Sequence, residues 1–163
     1  MAVLRKIRTF RALPAALRRR TAAACAALAL VTCGLRTCGF ARLHRWLART
    51  SEGRRLPAGE ALPAARIDAR ALGLAARNLP LRALCLERSL ALWWLARRRG
   101  ADAALRIGVR RTGGGIEAHA WVEVGGVVVG DEPDVASRYL PFDGDVSAIL
   151  AAIRGPRRRR FRT

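Results

Sequence analysis

Hydrophobic and polar positions divide the chain into a part with helical period and a shorter part that alternates. In residues 85–99, Leu86, Leu90 and Trp93 recur at i, i+4 and i+7, and Leu92 and Leu95 widen the stripe. That spacing predicts an amphipathic helix with its apolar face on a core. Arg97, Arg98 and Arg99 fall in its last turn, where positive charge complements the helix dipole. Gly100 suits the position just past the end. Beyond it, Leu105, Ile107 and Val109 alternate with Arg106, Gly108 and Arg110, which predicts a strand over 105–110. Residues 112–115 read as a loop and 116–124 as a second strand. Gly125-Gly126 reads as a hairpin turn and 127–129 as a third strand. Residues 132–153 read mostly as connection, with a short helix over 145–153.

The first half keeps the helical period. Residues 5–20 form a basic amphipathic segment interrupted by Pro14, and 21–35 an Ala/Leu stretch containing Cys25 and Cys33. A basic start before an apolar run resembles a secretion signal. The run is short, no small-x-small site follows before Arg36, and basic residues continue beyond it. The expectation is therefore a helix packed on the rest of the protein. Arg49, Arg54 and Arg55 close this segment, and Gly53, Pro57, Gly59 and Pro63 mark a break. Residues 64–77 read as another helix, with Ile67, Leu72 and Leu74 directed at the core, and Pro80 closes it. The expected class is α+β. The expected organisation is a basic helical region over 1–77, a core over 78–153 and a basic, disordered tail over 154–163.

Composition narrows the class. At 163 residues and 52% apolar, the chain can bury the core of one domain, which excludes a disordered basic tail. It holds no run of 18 apolar residues, so no transmembrane span is expected. Four Cys at irregular spacing make no disulfide framework. A reducing, cytoplasmic location is the expectation.

The net charge of +19 invites a nucleic-acid reading, and its distribution weakens it. Residues 1–84 carry 17 basic and 3 acidic side chains, residues 85–153 carry 8 and 9, and the last ten carry 6 and none. A near-neutral segment is thus flanked by basic extensions. There is no zinc-finger spacing and no RNP-type aromatic motif, so nucleic acid is not the expected partner. Nothing in the pattern supports contact with a membrane surface. Arg18, Arg19 and Arg20 are expected to centre a cationic docking face for an acidic partner or peptide.

The near-neutral segment also holds the candidate chemistry. Cys85 falls at a predicted helix start, where free N–H groups and the positive dipole end favour a thiolate. Cys25, Cys33 and Cys38 lie in Ala- and Leu-rich surroundings, match no common zinc spacing and read as packing residues. A Cys nucleophile needs a base, and the chain has two histidines. His44, among Arg42, Arg45 and Trp46, reads as a surface or groove residue. His119 shares one strand face with Trp121 and Glu123, while Ala118, Ala120, Val122 and Val124 share the other. Register decides which acid it meets. A two-residue loop at Gly125-Gly126 sets His119 opposite Glu132; a three-residue loop over 124–126 sets it opposite Asp131. A carboxylate there could hold the imidazole tautomer. Spacing leaves Asp131 and Glu132 equal.

Taken together, several segments resemble the lasso-peptide biosynthesis leader peptidases, relatives of the transglutaminase-like, papain-like cysteine proteases. They are Cys85-Leu86-Glu87-Arg88-Ser89-Leu90-Ala91-Leu92, Arg97-Arg98-Arg99-Gly100, Ile107-Gly108-Val109 and Ala118-His119-Ala120-Trp121-Val122-Glu123. Pro133-Asp134-Val135 and Tyr139-Leu140-Pro141-Phe142 fit the same pattern, and the match covers roughly 81–143. The resemblance implies a Cys-bearing helix packed on an antiparallel sheet. It implies Cys85 as nucleophile, His119 as base and Asp131 as orienting acid, and so selects the three-residue hairpin loop. It implies removal of the leader from a ribosomally made precursor, freeing a core-peptide amine for a separate asparagine-synthetase-like cyclase. No cofactor is implied on this chain; the cyclase uses ATP, and cleavage is coupled to it.

No three strands precede Cys85, so the chain resembles the stand-alone form, which relies on a separate leader-recognition protein. Papain-like enzymes often use an upstream Gln at the oxyanion, and this chain has no Gln. The Cys85 backbone N–H is one candidate donor and Asn78 a second. The alternatives are another Cys-His-Asp acyltransferase, such as an arylamine N-acetylating enzyme, or a nonenzymatic basic binding protein.

Overall fold

The computed structural model describes residues 14–53, 55–80, 83–113 and 115–141. The segment before Pro14, the short helix expected over 145–153 and the basic tail lie outside the described residues. Four helices precede a small sheet: α1 (Ala15–Thr37), α2 (Phe40–Arg49), α3 (Ala58–Asn78) and α4 (Cys85–Arg98). Strands β1 (Ala103–Thr112), β2 (Gly115–Val124) and β3 (Val127–Val129) follow, then a one-turn helix α5 (Val135–Arg138) and strand β4 (Leu140–Pro141). The sheet is antiparallel in the order β3-β2-β1-β4. The α+β class expected from the period change is the architecture found.

Helix α4 is the centre of the molecule. Every residue from Ser89 to Ala96 is buried, so the apolar stripe expected from its spacing is in fact an apolar girdle. Helices α1 and α3 pack on one side of α4, and β1 and β2 pack on another. A helix covered on several sides must be apolar around its circumference, and Leu90-Ala91-Leu92-Trp93-Trp94-Leu95-Ala96 is. The two indoles keep their N–H groups satisfied. Trp93 Nε1 donates to the Ala103 carbonyl at 3.0 Å, and Trp94 Nε1 to Thr50 Oγ1 at 3.0 Å.

The N-terminal helices share this core. Ala24, Leu28, Val31 and Leu35 of α1 and Ala61, Ala65, Leu72 and Ala75 of α3 join one apolar cluster with α4 and the sheet. Helix α3 departs from its expected form twice. It begins at Ala58 and holds Pro63 inside it. Pro63 lacks the N–H that would reach the Gly59 carbonyl, and exposed Gly59 leaves that oxygen open to water. The core position is also one residue from the expected one: Ile67 is 43% exposed, whereas Asp68 is 1% exposed. Asp68 accepts from Arg20 Nη1 at 3.0 Å and from Arg99 Nε at 2.7 and 2.8 Å, which ties α1 and the end of α4 to α3. Arg20 also donates to the Ala64 carbonyl. Arg20, one of the three arginines expected to centre a docking face, is thus engaged in a tie to α3.

Candidate active site

Cys85 is the first residue of α4. The Glu87 carboxylate accepts from the Leu84 N–H, which is half of a capping box and fixes the start of the helix. One turn on, buried Ser89 Oγ donates to the Ala120 carbonyl at 2.7 Å. That bond joins the turn after Cys85 to the strand residue after His119. On β2, Ala120, Val122 and Val124 are buried, and Val122 and Val124 pack in the cluster around α4, while Trp121 packs in a second cluster with Val135 and Tyr139 on the other face. His119 shares the Trp121 face by alternation, and its ring stacks on Tyr139 at 5.2 Å.

The hairpin has the two-residue loop. Val124 pairs with Val127, Glu123 with Val128 and Val122 with Val129, and Gly125 and Gly126 both have positive φ, as a primed turn requires. The three-residue loop selected by the resemblance is not the one present. Continued regularly, this register would put Glu132 opposite His119. It is not continued. Gly130 has φ 79°, and a Cβ on it would lie 2.8 Å from Leu92 Cδ2 and 3.2 Å from Ala69 Cβ. The chain turns there, close against α3 and α4, and Asp131 arrives at the imidazole: Asp131 Oδ2 is 2.7 Å from His119 Nε2. The other carboxylate oxygen accepts from the Glu132 N–H at 2.8 Å. Regular strand spacing could not distinguish Asp131 from Glu132 because the deciding turn lies beyond the ladder.

Cys85, His119 and Asp131 line one cleft of ≈ 130 Å³ with Arg88, Ser89 and Gly130 among their neighbours. A larger cavity of ≈ 1010 Å³ lies near Ser51, Leu62 and Val127, and its lining holds neither a cysteine nor a histidine. Size therefore does not mark the candidate site here; the convergence of a thiol, an imidazole and a carboxylate does. Among the described residues, no group of three or more His, Cys, Asp and Glu is placed to hold a metal ion.

Residues 27–142, well over half of the chain, match the family model of the transglutaminase-like superfamily. The chain belongs to the transglutaminase-like superfamily. No curated protein and no solved structure matched it. The superfamily generally contains cysteine peptidases and acyltransferases, so this member carries a fold suited to thiol-based acyl chemistry.

The remaining candidates lie elsewhere. His44 stacks between Phe40 at 5.4 Å and Trp93 at 4.6 Å, more enclosed than a surface residue, and burial followed by the Arg97 charge lowers its pKa. Cys25 packs against the core, and burial raises its thiol pKa. Cys33 and Cys38 are exposed, which corrects their reading as packing residues: they sit on the outer side and end of α1. Asn78 Nδ2 donates to the Leu74 carbonyl of its own helix at 2.8 Å, and Asn78 does not line the cleft. No helix among the described residues is long and apolar enough to cross a membrane. Three supports of the site were not singled out from the sequence: Ser89, Gly130 and Tyr139. A lone hydroxyl in the apolar run of α4, one turn after Cys85, was the available signal for Ser89.

Proposed function

We propose that this transglutaminase-like protein is a cysteine peptidase that removes the leader from a ribosomally made lasso-peptide precursor. The pairing of His119 with Asp131 beside Cys85 carries the reading, and the segments that resemble the leader peptidases supply its substrate. Asp131 occupies Nε2, so Nδ1 is the ring nitrogen left to exchange a proton with the thiol. Cys85 Sγ attacks the carbonyl at the leader–core junction and its proton passes to His119. The tetrahedral intermediate collapses, the C–N bond breaks, and His119 returns the proton to the departing core-peptide amine. His119 then takes a proton from the water that attacks the thioester; the C–S bond breaks, the leader leaves as its acid, and the proton returns to the Cys85 sulfur. The Cys85 backbone N–H at the helix start is the proposed donor to the oxyanion. A separate recognition protein presents the leader, and an asparagine-synthetase-like cyclase consumes the amine with ATP.

Reconstitution tests this. The purified protein is incubated with a lasso precursor, its recognition protein, cyclase and ATP, and products are weighed. Free leader with a new carboxylate supports the peptidase. Intact precursor, together with acylation of Cys85 by an acyl-CoA, would favour the acyltransferase reading instead.

A further inference from the structure

The ring of His119 is held on a second side that the Cys85–His119–Asp131 pattern does not include. Tyr139 is 6% exposed and stacks on the imidazole with centroids 5.2 Å apart and planes 27° from parallel. Its hydroxyl donates to Glu117 Oε1 at 2.7 Å. Arg110 donates to Glu117 Oε2 from Nε at 3.0 Å and Nη2 at 2.8 Å, and its guanidinium lies 4.8 Å from the centre of the Tyr139 ring. Tyr139 is thus fixed at its hydroxyl and covered on its ring. Gly108 makes room for it. Gly108 is the cross-strand partner of His119, and a Cβ there would lie 2.8 Å from Tyr139 Cβ and 2.9 Å from Trp121 Cη2. A glycine inside a strand marks such a close approach.

A single hydrogen bond to Asp131 fixes one ring atom and leaves the imidazole free to tilt about that bond. A flat contact on the ring removes the tilt. We propose that Tyr139, anchored by Glu117 and Arg110, is a positioning residue that sets the plane of the His119 imidazole toward Cys85. The proposal rests on the peptidase reading of the same site, and it does not require Tyr139 to touch substrate.

Two readouts that need no precursor test it. The chain has two histidines, so the imidazole nitrogen NMR spectrum holds two ring systems, and a His44→Phe variant identifies that of His119. The second readout is the rate of Cys85 alkylation by iodoacetamide, followed by peptide mapping. Tyr139→Leu is expected to average the His119 tautomer signals and slow Cys85 alkylation by about tenfold, because a misplaced imidazole favours the reactive thiolate less. Tyr139→Phe retains the ring and is expected to restore most of both. Glu117→Ala, at a partly exposed position, leaves the core intact and is expected to fall between them, which guards against a Tyr139→Leu protein that fails to fold. Unchanged His119 signals and alkylation in Tyr139→Leu, or equal loss in the Leu and Phe variants, would overturn the proposal. His119→Ala separates this from the site itself: if it leaves Cys85 alkylation untouched, the Cys85–His119 pairing fails, not merely its positioning by Tyr139.

Discussion

Asp131 Oδ2 lies 2.7 Å from His119 Nε2, although the two-residue hairpin between their strands would place Glu132 there. The left-handed turn at Gly130 makes the exchange. The carboxylate therefore takes the nitrogen farther from the backbone, and Nδ1 is the one the proposed mechanism assigns to the thiol.

A first expectation follows for the two neighbouring acids. Asp131→Asn keeps the shape but removes the charge that stabilises the imidazolium, and leader removal should fall by about 10²–10⁴. Glu132→Gln should leave it within about twofold. Initial rates on one precursor compare them; equal loss in both variants would mean that Asp131 is not the orienting acid.

Ser89→Ala should destabilise the fold by about 1–2 kcal/mol, because a buried hydroxyl bond from α4 to the Ala120 carbonyl is lost. Urea denaturation measures this. Leader removal should fall beyond any loss of folded protein, since the same bond ties the turn after Cys85 to the strand residue after His119. A stability loss with full activity in the folded fraction would confine Ser89 to the fold.

Asp68→Asn should be among the most destabilising single changes, by about 3 kcal/mol or more, because it breaks a buried ion pair that joins three segments. Arg20 and Arg99 keep partial access to water and limit the loss. A denaturation midpoint unchanged from wild type would show that the tie contributes nothing.

His44 gives the stability a pH dependence. Its folded pKa lies below the ordinary value near 6.5, first through burial and then through Arg97. The unfolded chain thus binds the proton more readily, and the stabilisation from neutral His44 is complete above that ordinary value. It is lost as pH falls through the folded value. His44→Phe keeps an aromatic ring between Phe40 and Trp93 without the titration. The difference in unfolding free energy between variant and wild type should shift in favour of the variant from pH 7 to pH 4.5. A difference that is flat with pH would remove His44 from the acid response.

Much of this was legible in the order of residues. The change of period after Gly100 located the sheet, and Gly125-Gly126 located the hairpin with its third strand over 127–129. Cys85 was placed at a helix start and His119 on the Trp121 face by spacing alone. Tertiary packing hid the rest. Helix α3 turns a row of alanines and one aspartate inward, and alanine carries little pattern because it suits both faces. Asp68 is buried only because arginines from two other helical segments meet it. Cys33 and Cys38 sit among apolar neighbours in sequence but on the outer side and end of α1. Gly130 and Gly108 owe their places to close approach by residues far along the chain, which periodicity does not record. The basic charge also resolved differently, since Arg20 and Arg99 serve the interior tie to Asp68.

The most direct test is leader removal by the Cys85→Ala variant with precursor, recognition protein, cyclase and ATP all present. Cys85 is only partly buried, and loss of its sulfur should leave the fold unchanged by circular dichroism. Free leader should fall to background while precursor binding persists. Leader released at the wild-type rate by a folded Cys85→Ala protein would mean that Cys85 is not the nucleophile.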